Sequence, residues 1–239
     1  MSRVPTRAAH NEVGRNRPTL ASMLGESAAF FLSFLEADIT DIPGPPGDGH
    51  AVLVLPAVMR GDGQTARLRA FLAERGYAPF GWRLGVNLGP MPYLMSGAMD
   101  RLSALAARHG RVSVVGFSMG GLFARWLGLH ASASIRQVIT VCAPFRGALA
   151  STWFPLQSMA VYWPAADLHA LSEDVARPLP VPGTYIYCRS DGVVDWRCCL
   201  DPDAPEDNFE ITGHHTTVAG NPEVRRILLE RLARPLQPR

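Results

Sequence analysis

A serine set between glycines, Gly116-Phe117-Ser118-Met119-Gly120, a carboxylate ahead of a glycine, Ser190-Asp191-Gly192, and a histidine pair, His214-His215, are the residues of this chain best suited to act together. A serine hydroxyl is a weak nucleophile at neutral pH. It needs a base to take its proton and an acid to hold that base in one tautomer. Histidine is the natural base, so the chemistry these types point to is nucleophilic acyl transfer. Asp195 rivals Asp191 for the acid. Asp191 is preferred because the glycine after it permits a tight turn that could aim the carboxylate. Either histidine of the pair completes the chain order serine, aspartate, histidine.

Those groups need elements to present them. Val112-Ser113-Val114-Val115 ahead of the serine is an apolar strand run, and Gly121-Leu122-Phe123-Ala124-Arg125-Trp126-Leu127 behind it is helix-like. A turn sharp enough to expose the serine between them crowds the positions two before and two after it, where both residues are glycine. The backbone amide of Met119, just after the serine, is then placed to hold a developing oxyanion. Catalytic groups in an open parallel sheet gather at the carboxyl ends of strands. Asp191 follows the run Thr184–Cys188, and the histidines follow the short run Asn208–Ile211.

The remaining pattern alternates strand and helix. Ala51–Leu55 is continuously apolar, as in a parallel strand covered on both faces. A helix over 65–76, a strand over 77–82, a helix over 94–109, the strand 111–115 and its helix, a strand over 137–142, the strands noted above and a closing helix over 222–232 complete the set. This order predicts an α/β fold with a mostly parallel sheet and helices on both faces. The strand rhythm lapses between Phe145 and Pro182, where Trp153, Phe154, Met159, Tyr162 and Trp163 stand. That segment is either ordinary helix packing or a small cap, about 145–182, over the active edge.

Composition narrows the classes. The chain has 239 residues with a formal charge of +2, and its basic residues are dispersed, so one domain is expected and nucleic acid is not. Pro43–Gly49 is a breaker-rich connector that divides an N-terminal extension, 1–48, from a main domain, 49–239. In the extension, Ser27–Leu35 is apolar but too short to span a bilayer. An amphipathic helix over about 19–36, packed on the domain or shielding the site, is expected, with interfacial membrane contact as the alternative. No exporting segment is legible, which predicts the cytoplasm. The four cysteines lack C-x-x-C spacing and His10, His50, His109, His130 and His169 are scattered. Reduced thiols, no metal and no cofactor are therefore expected.

Together Val52–Val58, Gly116–Gly121, Ala143–Gly147, Asp191–Val194 and His215 with Asn221-Pro222 resemble the lipase and esterase branch of the α/β-hydrolases, near bacterial lipases and inositol-deacylase-like hydrolases. The likeness covers about Gly49 to Arg234 and implies the α/β-hydrolase fold. It selects His215 over His214, because in that family the base stands six residues before an Asn-Pro pair. It also implies a second oxyanion donor in the loop after the first strand, at Val58 with Met59 as the neighbour, although Ala57 stands where relatives carry glycine.

The implied activity is hydrolysis of a small acyl ester or lipid-like substrate through an acyl-enzyme on Ser118, with Leu94, Phe145, Trp153, Met159 and Trp163 as candidate lining residues. Amide or thioester hydrolysis, acyl transfer, and a noncatalytic binding module of the same fold are the alternatives.

Overall fold

Val52, Val54, Val115, Ile139 and Val141 alternate with Leu53, Leu55, Val114 and Val138 along three adjacent strands, and both sets are buried. Successive side chains of a strand point to opposite faces, so each run must be covered twice. A computed structural model describes Glu26, residues 42–147 and residues 165–235. The expected N-terminal helix, Glu26 apart, lies outside the described residues, as do Trp153, Met159 and Trp163.

The strands are β1 (Ala51–Leu55), β2 (Ala78–Gly81), β3 (Val112–Phe117), β4 (Ile135–Val141), β5 (Gly183–Cys188) and β6 (Asn208–Ile211). They form one sheet of six in the order β2-β1-β3-β4-β5-β6, and every adjacent pair is parallel. The helices are α1 (Ala66–Glu74), α2 (Pro92–His109), α3 (Met119–His130), α4 (Ala165–Ala176) and α5 (Pro222–Leu232). Strand β3 runs two residues beyond the expected end and delivers the chain directly to Ser118. Gly76, with φ of 90°, sits at the foreseen stop of α1. No strand interrupts 165–182.

One face of the sheet packs on α2 and α3 through Leu94, Ala98, Leu102, Leu122, Phe123 and Leu127. The other packs on α1 and α5 through Leu68, Phe71, Leu72, Val224, Ile227 and Leu228. Because the order is β2-β1-β3-β4, the chain leaving β1 turns to one side, toward β2, and the chain leaving β3 turns to the other, toward β4. Such a reversal, beyond the carboxyl ends of β1 and β3, is where open parallel sheets take ligands.

Arg125 ties the element after 148–164 to this frame. Its side chain is fully buried in α3, where Nε donates to the carbonyl of Val175 at 2.5 Å and Nη2 to that of Arg177 at 2.6 Å. Its guanidinium lies 3.9 Å from the Phe145 ring centre. Two carbonyls at the end of α4 thus have a charged donor in place of water. Arg125→Met, which keeps the apolar stem and removes the donors, is expected to lower unfolding free energy by about 2 kcal/mol. Urea denaturation measures the loss, and faster hydrogen exchange over 171–177 would place it at α4.

Candidate active site

The turn after β3 is possible only because three side chains are missing. A methyl on Gly116 would sit 2.2 Å from the Gly120 carbonyl oxygen, one on Gly120 2.5 Å from the Leu55 oxygen and 2.6 Å from the Pro56 oxygen, and one on Gly121 2.3 Å from Ala143 Cβ. Ser118 itself has φ 50° and ψ −118°, a conformation rare outside glycine. Its amide donates to the Val141 carbonyl at 2.8 Å, and its carbonyl accepts from Gly121 N–H at 2.8 Å. Both bonds hold the strained residue from the backbone, so its side chain is free to leave the sheet.

The loop after β1 is fixed by amide bonds that single out one residue. Ala57 N–H donates to Gln64 Oε1 at 2.8 Å, and Met59 N–H donates to the Asn87 carbonyl at 2.7 Å. Among the described residues, the amides of Val58 and Met119 donate to nothing. Ala57 has no positive φ; that conformation falls on Met59, φ 58°. The Ala57 methyl, at the position where the resemblance leads one to expect glycine, therefore meets no left-handed backbone, and it packs against the core. Asn87 is a site residue that sequence reasoning missed. Fully buried, it donates from Nδ2 to the Pro56 carbonyl at 2.8 Å and accepts from Gly89 N–H at 2.9 Å. Its one sequence signal is its place in the glycine-flanked stretch Gly85–Gly89.

Asp191 and His215, from the loops after β5 and β6, meet. His215 Nδ1 lies 2.6 Å from Asp191 Oδ2, while Oδ1 accepts from Val193 and Val194 N–H, each at 2.8 Å. These local bonds orient the carboxylate with its second oxygen toward the imidazole. Asp195 is used otherwise: it caps a short helical turn through Arg197 N–H at 3.0 Å and pairs with the Arg197 guanidinium. The His214 ring has a buried Nδ1 with no hydrogen-bond partner among the described residues. Leu94 and Phe145, expected as lining, are each 1 % exposed and packed in the core.

Burial by itself would push the His215 imidazole down, but the charge and hydrogen bond of Asp191 and the charge of Glu26 outweigh it and raise the ring above its ordinary 6.5. A value raised on folding stabilises the fold below the unfolded value, and that contribution fades as pH climbs through the folded one. Cys142, at φ 48° beyond β4, completes the neighbourhood. Burial, and then Asp191, push its thiol well up, which keeps it protonated beside the carboxylate.

Cys142, Asp191 and His215 offer ligand atoms within 4.8 Å of one another. Two ligands of one tetrahedral zinc stand about 3.3 Å apart. The 2.6 Å separation of His215 Nδ1 and Asp191 Oδ2 is that of atoms sharing a proton.

The same residue types recur at the opposite end of the sheet with another outcome. His50 bonds to Asp48 through Nδ1, and its Nε2 lies 2.8 Å from Ser113 Oγ. Ser113 has no exposed surface, so no substrate reaches it. Arg136 pairs with the other Asp48 oxygen at 2.8 Å, and the cluster ties the start of β3 to the chain before β1.

No protein-family model matches this chain, and no curated protein sequence matches it. Solved structures do. A monoacylglycerol lipase of Paleococcus ferrophilus is 15% identical with a TM-score of 0.57, over 79% of this chain and 95% of that one. An esterase of Pyrococcus furiosus is 16% identical with a TM-score of 0.56, over 77% and 81%. Mouse alpha/beta hydrolase domain-containing protein 10 is 13% identical with a TM-score of 0.55, over 78% and 89%. The parallel sheet and this likeness define the class: the protein has the α/β-hydrolase fold.

An NMR titration of the His215 ring is expected to give a midpoint above 6.5. Asp191→Asn, by removing the nearest charge, should move that midpoint down, and an unmoved midpoint would show that the pair does not titrate together.

Proposed function

We propose that this protein is a serine hydrolase that cleaves carboxylic esters through an acyl-enzyme on Ser118. The observation that carries the reading is the row of groups beyond the strand ends: Val58 after β1, Ser118 after β3, Asp191 after β5 and His215 after β6, the last two joined at 2.6 Å. In this cycle His215 Nε2 takes the Ser118 proton as Oγ attacks the acyl carbonyl. Nδ1–H stays bonded to Asp191, whose charge stabilises the imidazolium. The amides of Met119 and Val58, unengaged among the described residues, receive the oxyanion. The imidazolium then gives its proton to the departing alkoxide, and water, activated by the same base, releases the acid.

Esters are the first substrate class because structural neighbours are named as a monoacylglycerol lipase and an esterase. Exposed apolar groups near the loop after β1, Met59, Val86, Leu88 and Tyr93, suit a small acyl ester or lipid-like molecule. Integral insertion in a membrane is not part of the reading: among the described residues no helix is long and apolar enough to cross one. The four buried, unbridged cysteines fit a reducing compartment, and the cytoplasm is the location proposed.

Purified protein should label with a fluorophosphonate and turn over p-nitrophenyl esters, with a profile across acyl lengths that separates esterase from lipase preference. Ser118→Ala should abolish labelling, and both it and His215→Ala should lower kcat by about three orders of magnitude or more, while His214→Ala stays mild. Activity should rise with pH through the raised His215 value, since the base acts unprotonated. Turnover of amides or thioesters in preference to esters would correct the substrate class. Absence of Ser118-dependent labelling would remove the enzyme in favour of a binding module.

A further inference from the structure

Glu26 is 5 % exposed, yet it stands 166 positions before one of its partners and 190 before another. Its Oε1 accepts from Gly192 N–H at 3.0 Å and from His215 N–H at 2.7 Å. Its Oε2 accepts from Thr216 N–H at 2.9 Å and Thr216 Oγ1 at 2.8 Å. One oxygen is therefore shared between the residue after Asp191 and His215 itself. A buried carboxylate is costly unless its lone pairs are met, and here four donors from two loops meet them.

We propose that Glu26 is a positioning residue for acyl transfer at Ser118, its carboxylate clamping the loop of Asp191 to the loop of His215. The inference rests on the hydrolase reading above. The two loops have few other ties. Asp191 Oδ1 bonds within its own loop, and across the gap run only the Asp191 to His215 bond and the contacts of Cys188 Sγ and Ser190 Oγ with the Gly213 carbonyl, at 2.9 and 2.8 Å, among the described residues. Those latter contacts lie before Asp191 and before His215 in the chain. Glu26 grips the residue just after the acid together with the backbone of the base, so it fixes the loops from the other side.

A glutamine could not do the same. It has one acceptor oxygen, and its NH2 would face either an N–H of Thr216 or those of Gly192 and His215. The charge matters as well. Among the described residues the ionisable groups around the His215 ring are Asp191, Glu26 and Cys142, with His214 adjacent in the chain, and Glu26 is one of the two whose charge favours the imidazolium. A neutral brace of the same shape would have no such influence.

Full-length Glu26→Gln and Glu26→Asp test this, with ester kinetics across pH and the NMR midpoint of His215. In Glu26→Gln, kcat should fall by about tenfold or more with KM little changed, and both the acid limb of kcat/KM and the NMR midpoint should move to lower pH. Glu26→Asp keeps the charge but loses one methylene of reach. It should restore the acid limb while recovering only part of kcat. A folded Glu26→Gln with wild-type kcat and an unmoved limb overturns the proposal. Should the glutamine variant fail to fold, Glu26→Asp decides alone, and wild-type kcat there overturns it. If the wild type turns over no ester, the hydrolase reading fails separately. The NMR comparison needs no substrate, and an unchanged His215 midpoint in Glu26→Gln then overturns the clamp.

Discussion

The close approach of the turn after β3 to the end of β1 is the constraint on which the remaining structure depends. With methyl groups at Gly116, Gly120 or Gly121, backbone or side-chain atoms would stand 2.2 to 2.6 Å away, closer than carbon and its neighbours tolerate. Glycine there lets α3 start immediately over the sheet, and Ser118 absorbs the remaining bend at φ 50°. Such a residue costs on the order of 1–3 kcal/mol. It persists because β1, β3 and β4 are buried on both faces and leave the turn no alternative course. Cys142 repeats the device on the next strand. Ser118 N–H reaches the Val141 carbonyl and Cys142 N–H the Ile186 carbonyl, each at 2.8 Å, so the ladder continues one residue past each strand end while the side chains turn out of it.

From that geometry the candidate site follows by adjacency. Parallel strands end on one edge of the sheet, and the order β1-β3-β4-β5-β6 sets Val58, Ser118, Cys142, Asp191 and His215 along it. Electrostatics then distinguishes them. The carboxylates of Asp191 and Glu26 raise the His215 ring against the effect of its burial, while burial keeps the Cys142 thiol protonated. The Asp48, His50 and Ser113 cluster marks the difference between composition and site. Its histidine and aspartate are as close as His215 and Asp191, but its serine is sealed in the sheet and its imidazole is pushed down by burial, with Asp48 opposing and Arg136 reinforcing the shift.

Element types and order were legible because they are local. Apolar runs such as Ala51–Leu55 and spacing such as Leu68, Phe71 and Leu72 reflect which side chains a strand or helix must bury, and such patterns need only neighbouring residues. Boundaries were less legible: β3 reaches Phe117 because pairing with β4 continues to Val141, a contact across the sheet. The expected lining residues Leu94 and Phe145 are core residues, since apolar character alone does not distinguish the wall of a cavity from the packing behind it.

By itself, then, the sequence determined the serine turn, through glycines whose absent side chains are a property of residue type, and the serine, aspartate, histidine order, through their places after strands. Only the tertiary structure decided which groups meet. It set the ring of His215 against Asp191, left the amide of Val58 without a partner among the described residues by engaging those of Ala57 and Met59, fixed the β1 loop through Asn87, and brought Glu26 to the loops of both Asp191 and His215. Those are contacts between residues up to 190 positions apart. Periodicity carries no information at that range, because such contacts depend on how strands are ordered in the sheet and on where their loops come to rest.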